Sequence, residues 1–307
     1  MTTAYITHDH CEKHDLGEEH PEAPQRLGSI QNRLISGQLL DFLRWTDAQQ
    51  ATREQLIATH DEAYVDSIFE RAPIQDHVEL DPDTFLTPHT LDAALHAAGS
   101  VVQAVDMVFN GEVKNAFCAV RPPGHHAEYD RAMGFCVFNN IAVGARHAIN
   151  EYGLKRIAIV DFDVHHGNGT ESIFQRDSRV LYASSYQHPF FPFSDPGESH
   201  DNIIHMPLSA GSGSQEFREI IHQQLLPELE KFKPELVMIS AGFDAHKEDF
   251  MGQIRLKDED YTWITNELLA IADRHCQGRL VSVLEGGYDL DSLGRSTFCH
   301  LKSLMKL

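Results

Sequence analysis

The sequence predicts a single three-layer α/β domain with a mainly parallel central sheet, spanning residues 1–307. Three observations carry that expectation. Short apolar runs recur without the alternation of a half-exposed strand, stretches with helical spacing separate them, and clusters of titratable residues fall just past the runs.

Six runs read as buried strands: Thr3–Thr7, Ala116–Val120, Ile157–Val160, Val180–Ser184, Leu236–Ser240 and Leu280–Leu284. The clearest helix is Pro88–Asn110, where Leu91, Leu95, Ala98, Val101, Val102, Val105 and Val108 recur every three or four residues. Gly111 stands where that helix should stop. Weaker helical patterns cover Asn139–Tyr152, Gly213–Phe232 and Lys257–Cys276. No linker, repeat or low-complexity segment divides the chain. Val120 leads to His125 and His126, Val160 to Asp161, Asp163 and His165, Ser240 to Asp244, and Leu284 to Tyr288. Ligands bind at the C-terminal edge of open parallel sheets, so the four clusters are expected to converge on one crevice.

Composition narrows the function classes. A formal net charge of −21 disfavours contact with a phosphate backbone, so no direct nucleic-acid partner is expected. No apolar run approaches the roughly 20 residues that cross a bilayer, and the N-terminus has no secretory pattern, which predicts a cytoplasmic protein with no membrane partner. The five cysteines are scattered and form no CxxC pair, which fits reduced thiols. Histidine is the unusual residue, with 20 copies, several beside Asp, and that invites a metal hypothesis.

In Asp161-Phe162-Asp163-Val164-His165, the second Asp and the His are two apart at a strand end, so both side chains point the same way. Asp244 offers a third ligand. Two carboxylates and one imidazole leave a coordination position open for water, as a catalytic zinc site requires. His125 and His126 can handle protons: adjacent imidazoles repel when both are charged, so their titrations should be pushed apart. Asp161 and Asn168 are the expected orienting partners, the first favouring an imidazolium and the second adding no charge. Tyr288, after a glycine pair read as flexible, can donate to a developing oxyanion. Singly, each of these residues is commonly structural. Their appearance together at successive strand ends points to a site.

Six motifs span the chain: HPEAPQRL at 20–27, RPPGHHA at 121–127, GFCVFNN at 134–140, DFDVHHGNGT at 161–170, SAGFDAH at 240–246 and EGGYDL at 285–290. As a set they resemble the histone deacetylase superfamily with its arginase/deacetylase fold, and within it the bacterial class II-like zinc-dependent deacetylases. The resemblance implies one zinc ion per chain on Asp163, His165 and Asp244, water activated by His125 and His126, and Tyr288 polarising the substrate carbonyl. It implies a backbone acceptor at Gly134, aromatic tunnel walls at Phe135 and Phe191, and Arg26 near the tunnel's foot. A structural potassium ion is implied beneath the zinc, on Asp161, Asp163, His165 and the Ser184–Ser185 region. Asn168, where class I relatives carry Asp, and the EGGY ending match class II. Met251 stands where acetylpolyamine-preferring relatives carry a glutamate.

The expected activity is zinc-dependent hydrolysis of acetyl or other acyl groups from an acyl-lysine side chain. The alternatives are an acetylpolyamine or small acylated-amine amidohydrolase, an inactive acyl-lysine binding module, and a two-metal hydrolase, which would need more carboxylates than follow His165. Partners are then an acylated protein, peptide or small amine, and a homo-oligomer is compatible with the sequence. The stretch His8-Asp9-His10-Cys11-Glu12-Lys13-His14 reads as a solvated loop, because its spacing fits no standard metal site.

Overall fold

A computed structural model describes residues 2–17, 19–193 and 200–307. Ten strands lie among them: β1 (Thr3–Thr7), β2 (Arg44–Asp47), β3 (Val78–Asp81), β4 (Thr84–Leu86), β5 (Asn115–Cys118), β6 (Ile157–Asp161), β7 (Val180–Gln187), β8 (Ile203–Leu208), β9 (Leu236–Ala241) and β10 (Leu280–Leu284). Eight form one sheet in the order β2-β1-β5-β10-β9-β6-β7-β8, with every pairing parallel. Helices flank the sheet, and strands β1, β5, β6, β7, β9 and β10 are buried at every position. Such strands can be apolar throughout because helices cover both faces.

The six expected strands all form, with ends shifted by a few residues. The expected helices appear as Thr90–Phe109, Asn140–Tyr152, Asp258–His275, and a run from Ser214 to Phe232 broken by one π-turn at Ile221–Leu225. Strands β2 and β8 extend the sheet at its two edges, and β3 and β4 form a separate antiparallel hairpin. Helices Gln25–Ser36 and Leu290–Leu304 pack against each other beyond what the periodicity suggested. No helix among the described residues is long and apolar enough to cross a membrane.

The stretch expected to be a solvated loop is instead a short helix, Asp9–Lys13, with Cys11 and His14 buried. Arg121 explains the difference. Its guanidinium is fully buried and needs acceptors, which the carbonyls of Cys11 and His14 supply at 2.8 and 2.9 Å and the carboxylate of Glu22 completes.

Four strands at the middle of the sheet, β5-β10-β9-β6, point their C-terminal ends at one crevice. The ladder continues past their ends: Glu285 N–H donates to Ala241 O at 3.0 Å, and Phe243 N–H to Gly286 O at 3.0 Å. The loops that follow are thereby held almost as firmly as the strands.

Candidate active site

The loop after β6 keeps strand alternation for four residues beyond Asp161. Phe162 and Val164 are buried in the core, where Phe162 meets Phe243 and Tyr261, so Asp163 and His165 face the other way into the crevice. Asp244 arrives from the neighbouring β9 loop. His165 Nδ1 lies 3.1 Å from both Asp163 Oδ1 and Asp244 Oδ2. Ligands around a tetrahedral zinc at about 2.1 Å stand roughly 3.3 Å apart, so these three atoms already have nearly the required spacing. The carboxylates are oriented by backbone donors: Gly286 N–H reaches Asp163 Oδ2 and Val164 N–H reaches Asp244 Oδ1, each at 2.8 Å.

Two buried carboxylates this close resist sharing negative charge. Burial and Asp163 push the Asp244 carboxyl up to about 7, while His125 and His165 outweigh burial to hold Asp163 well below its ordinary range. A cation between them would relieve that conflict.

The histidine pair is split in charge. Burial alone would lower the His125 imidazole, but Asp161, Asp163 and Glu285 outweigh it and lift it to about 10. Its Nδ1 lies 2.9 Å from Asp161 Oδ2. His126 goes the other way: burial and the charges of His125 and His165 depress it well below its ordinary value. Its Nδ1 meets Asn168 Oδ1 at 2.8 Å, and the Asn168 amide donates in turn to Glu128 Oε1 at 2.7 Å. The two rings stand 4.0 Å apart, near enough for charge on one to decide charge on the other.

Tyr288 is buried, and burial holds its phenol protonated far above the ordinary tyrosine range. The glycine pair before it is not the free hinge expected from sequence. Gly286 fills the gap between the Asp163 and Asp244 carboxylates, where a Cβ would collide with both, and Gly287 O accepts from Arg26 Nε at 2.6 Å. Gly286 permits that close approach, and Gly287 takes a backbone conformation (φ +118°) that favours glycine. Arg26 itself is fully buried, 4.9 Å beneath the Tyr288 ring, and does not line the cavity.

A cavity of about 230 Å³ opens above these groups, lined by Asp83, His126, Gly134, Phe135, His165, Phe190, Phe191, Met251 and Tyr288. Phe191 stands edge-on to His126 at 5.3 Å, Phe135 edge-on to Tyr288 at 6.0 Å, and Phe190 stacks on His165 at 5.4 Å. Gly134 has a left-handed backbone (φ +58°), and a Cβ there would strike the His126 ring, so glycine is required twice over.

Several residues that build this site escaped sequence reasoning. Glu285 is fully buried and accepts from the amides of Gly124 and His125, at 2.7 and 3.1 Å, and from Ser240 Oγ at 3.0 Å. Asp249 accepts from the amides of Tyr288 and Asp289 at 2.6 and 3.0 Å. Asp83 and Thr84, on the β3–β4 hairpin, accept from the amides of Gly134 and Phe135 at 2.9 and 3.0 Å. Phe190 adds a wall. The one available signal was a Glu ending an otherwise apolar run, since a buried carboxylate must find donors.

The model of the histone deacetylase domain matches residues 20–304. The chain belongs to the histone deacetylase family. Among relatives, a type-2 histone deacetylase of Dictyostelium discoideum is 35% identical over 99% of this chain and 21% of its own length. The polyamine deacetylase HDAC10 of Mus musculus is 36% identical over 99% of this chain and 48% of its own. The chain thus spans from a fifth to a half of these two relatives. The crystal structure of the HDA15 HD domain superimposes with a TM-score of 0.94 at 33% identity, covering 99% of this chain and 88% of that one. This shared architecture is the histone deacetylase fold, and the family relatives are named as deacetylases.

Proposed function

We propose that the chain is a zinc-dependent amidohydrolase that removes acetyl, or another small acyl group, from an acylated lysine side chain. The observation that carries this reading is one aromatic cavity whose floor joins an Asp-His-Asp donor set, a charge-split histidine pair and a protonated phenol. Asp163, His165 and Asp244 would hold one zinc ion, which supplies Lewis-acid polarisation of water and carbonyl when bound.

The chain's own residues supply the rest. Phe135, Phe190, Phe191 and Met251 enclose an aliphatic stem and exclude water from it. The Gly134 carbonyl is available to the substrate amide N–H. The Tyr288 hydroxyl donates to the substrate oxygen as negative charge develops there. His126, being neutral, accepts the proton of the attacking water and returns it to the departing nitrogen. His125, paired with Asp161, is the favoured carrier of the proton, and its charge stabilises the negative charge forming beside it. Arg26 and Asp249 position the Tyr288 loop from behind. Asp161, Asp163, His165, Ser184 and Ser185 would hold a potassium ion, and the Ser184 hydroxyl is buried without a well-formed hydrogen bond, as a waiting ligand would be.

Asn168→Asp tests the proton assignment. It brings negative charge one bond closer to His126 and raises its pKa, so the acid limb of the kcat/KM profile should move up by about one unit or more, with activity recovering at higher pH. An acid limb that stays in place would remove His126 as the base.

The reading as a whole is tested by kcat/KM for acetyl-lysine peptides, longer acyl-lysine peptides and acetylpolyamines, each with and without chelator. Chelator-sensitive hydrolysis, greatest on acyl-lysine peptides, is expected. Preference for acetylpolyamines would support the alternative that the mouse relative's name suggests. Tight peptide binding without turnover by zinc-loaded protein would leave a binding module.

A further inference from the structure

Three groups of metal-ligating side chains converge among the described residues: Asp163, His165 and Asp244; His8, His10 and His96; and His166, Glu171 and His205. The first is the site above. Two imidazoles that share a tetrahedral ion place their ring centres about 5 Å apart, given a metal–nitrogen distance near 2.1 Å. The His8 and His96 rings instead lie stacked, 3.6 Å apart and within 8° of parallel, and His8 Nδ1 already accepts the His10 amide at 3.2 Å. They form a ring stack, not a chelate.

The third group has the required spacing between its two rings, with its carboxylate now hydrogen-bonded to one of them. His166 and His205 place their ring centres 5.2 Å apart with 54° between planes. Glu171, on the helix Asn168–Phe174, lies between them, with Oε2 2.6 Å from His166 Nε2 and Oε1 3.5 Å from His205 Nε2. His205 Nε2 is buried and meets the carboxylate at 3.5 Å without a well-formed hydrogen bond, a separation close to that of two ligands on one ion. Its other nitrogen faces the Tyr186 hydroxyl at 3.2 Å, the kind of outer partner that fixes the tautomer of a ligating imidazole. His166 is buried, whereas Glu171 and His205 reach the surface, which gives an ion a way in.

We propose that His166, Glu171 and His205 form a second metal site, for a divalent ion of the zinc class, distinct from the Asp163-His165-Asp244 site. Two imidazoles and one carboxylate suit zinc, nickel or copper, whereas magnesium and calcium call for more oxygen ligands. The role of the site is to brace the loop. His165 turns toward Phe190 and Phe191 while His166 turns toward Tyr182 and Tyr186, and an ion on His166 anchors the backbone that presents His165.

The proposal does not depend on the deacylation reading, because its test counts ions. The whole chain is stripped with chelator, dialysed against Zn²⁺, and bound zinc is measured by elemental analysis. Two ions per chain are expected for the wild type, and one for His205→Gln, for Glu171→Gln and for Asp244→Asn. Two substitutions within the triad keep the result readable if one fails to fold. One ion in the wild type, two ions surviving in both His205→Gln and Glu171→Gln, or none left in Asp244→Asn would overturn the proposal.

Discussion

Asp244→Asn is expected to lower kcat/KM on an acetyl-lysine peptide by about four orders of magnitude, which is ~5 kcal/mol of transition-state stabilisation. The substitution keeps an oxygen that can accept from Val164 N–H, so the loop geometry survives, but it removes one of the two negative charges facing His165. The ion held with Asp163 and His165 should then be lost on dialysis while circular dichroism stays native. Zinc-free protein provides a second measurement. In the absence of a cation, the Asp244 carboxyl sits at about 7, above its unfolded value near 4, because of burial and Asp163. A carboxyl whose folded pKa is raised favours the folded state less as it ionises, so the Asp244 contribution to apo-protein stability should fall as pH rises from about 4 to about 7, read as the change in the stability difference between wild type and Asp244→Asn. Asp244→Asn should lack that loss and match or exceed the wild type in denaturant midpoint above pH 7. A variant that retains its zinc and its activity would refute the ligand assignment.

Tyr288→Phe should reduce kcat by about 10² to 10³ with KM nearly unchanged and zinc fully retained. The ring's position does not depend on the hydroxyl. Its backbone amide is held by Asp249, its face rests on Arg26, and its edge meets Phe135, so phenylalanine should occupy the same place without the donor. Since the phenol stays protonated throughout any practical assay range, the deficit should be the same at pH 7 and pH 9. A deficit appearing mainly in KM would assign Tyr288 to substrate binding.

The strands that hold this site were legible because β5, β6, β9 and β10 are buried at every position and so read as continuous apolar runs. Strand β2 was not, since Arg44-Trp45-Thr46-Asp47 lies at a sheet edge and is largely exposed, with no pattern to announce it. Helix Leu290–Leu304 was not singled out either: serine, threonine and glycine fill much of its buried face, so few large apolar residues mark it. In the site, Asp163, His165 and Asp244 stood out because ligand spacing is local and each closes a run. Glu285, Asp249 and Asp83 act on backbone amides 161, 39 and 51 residues away, and such pairings leave no trace in spacing. The tight clearance at Gly286 was not legible, because flexibility and close approach call for the same residue.

The β3–β4 hairpin stands apart from the eight-stranded sheet yet carries the two side chains that seat Gly134 and Phe135. An appendage outside the sheet thus bears on the site: the hairpin holds Gly134, and Gly134 packs against the His126 ring. If the proposed deacylation holds, substitutions in residues 78–86 are expected to change the cavity wall at Gly134 and Phe135 without touching Asp163, His165 or Asp244.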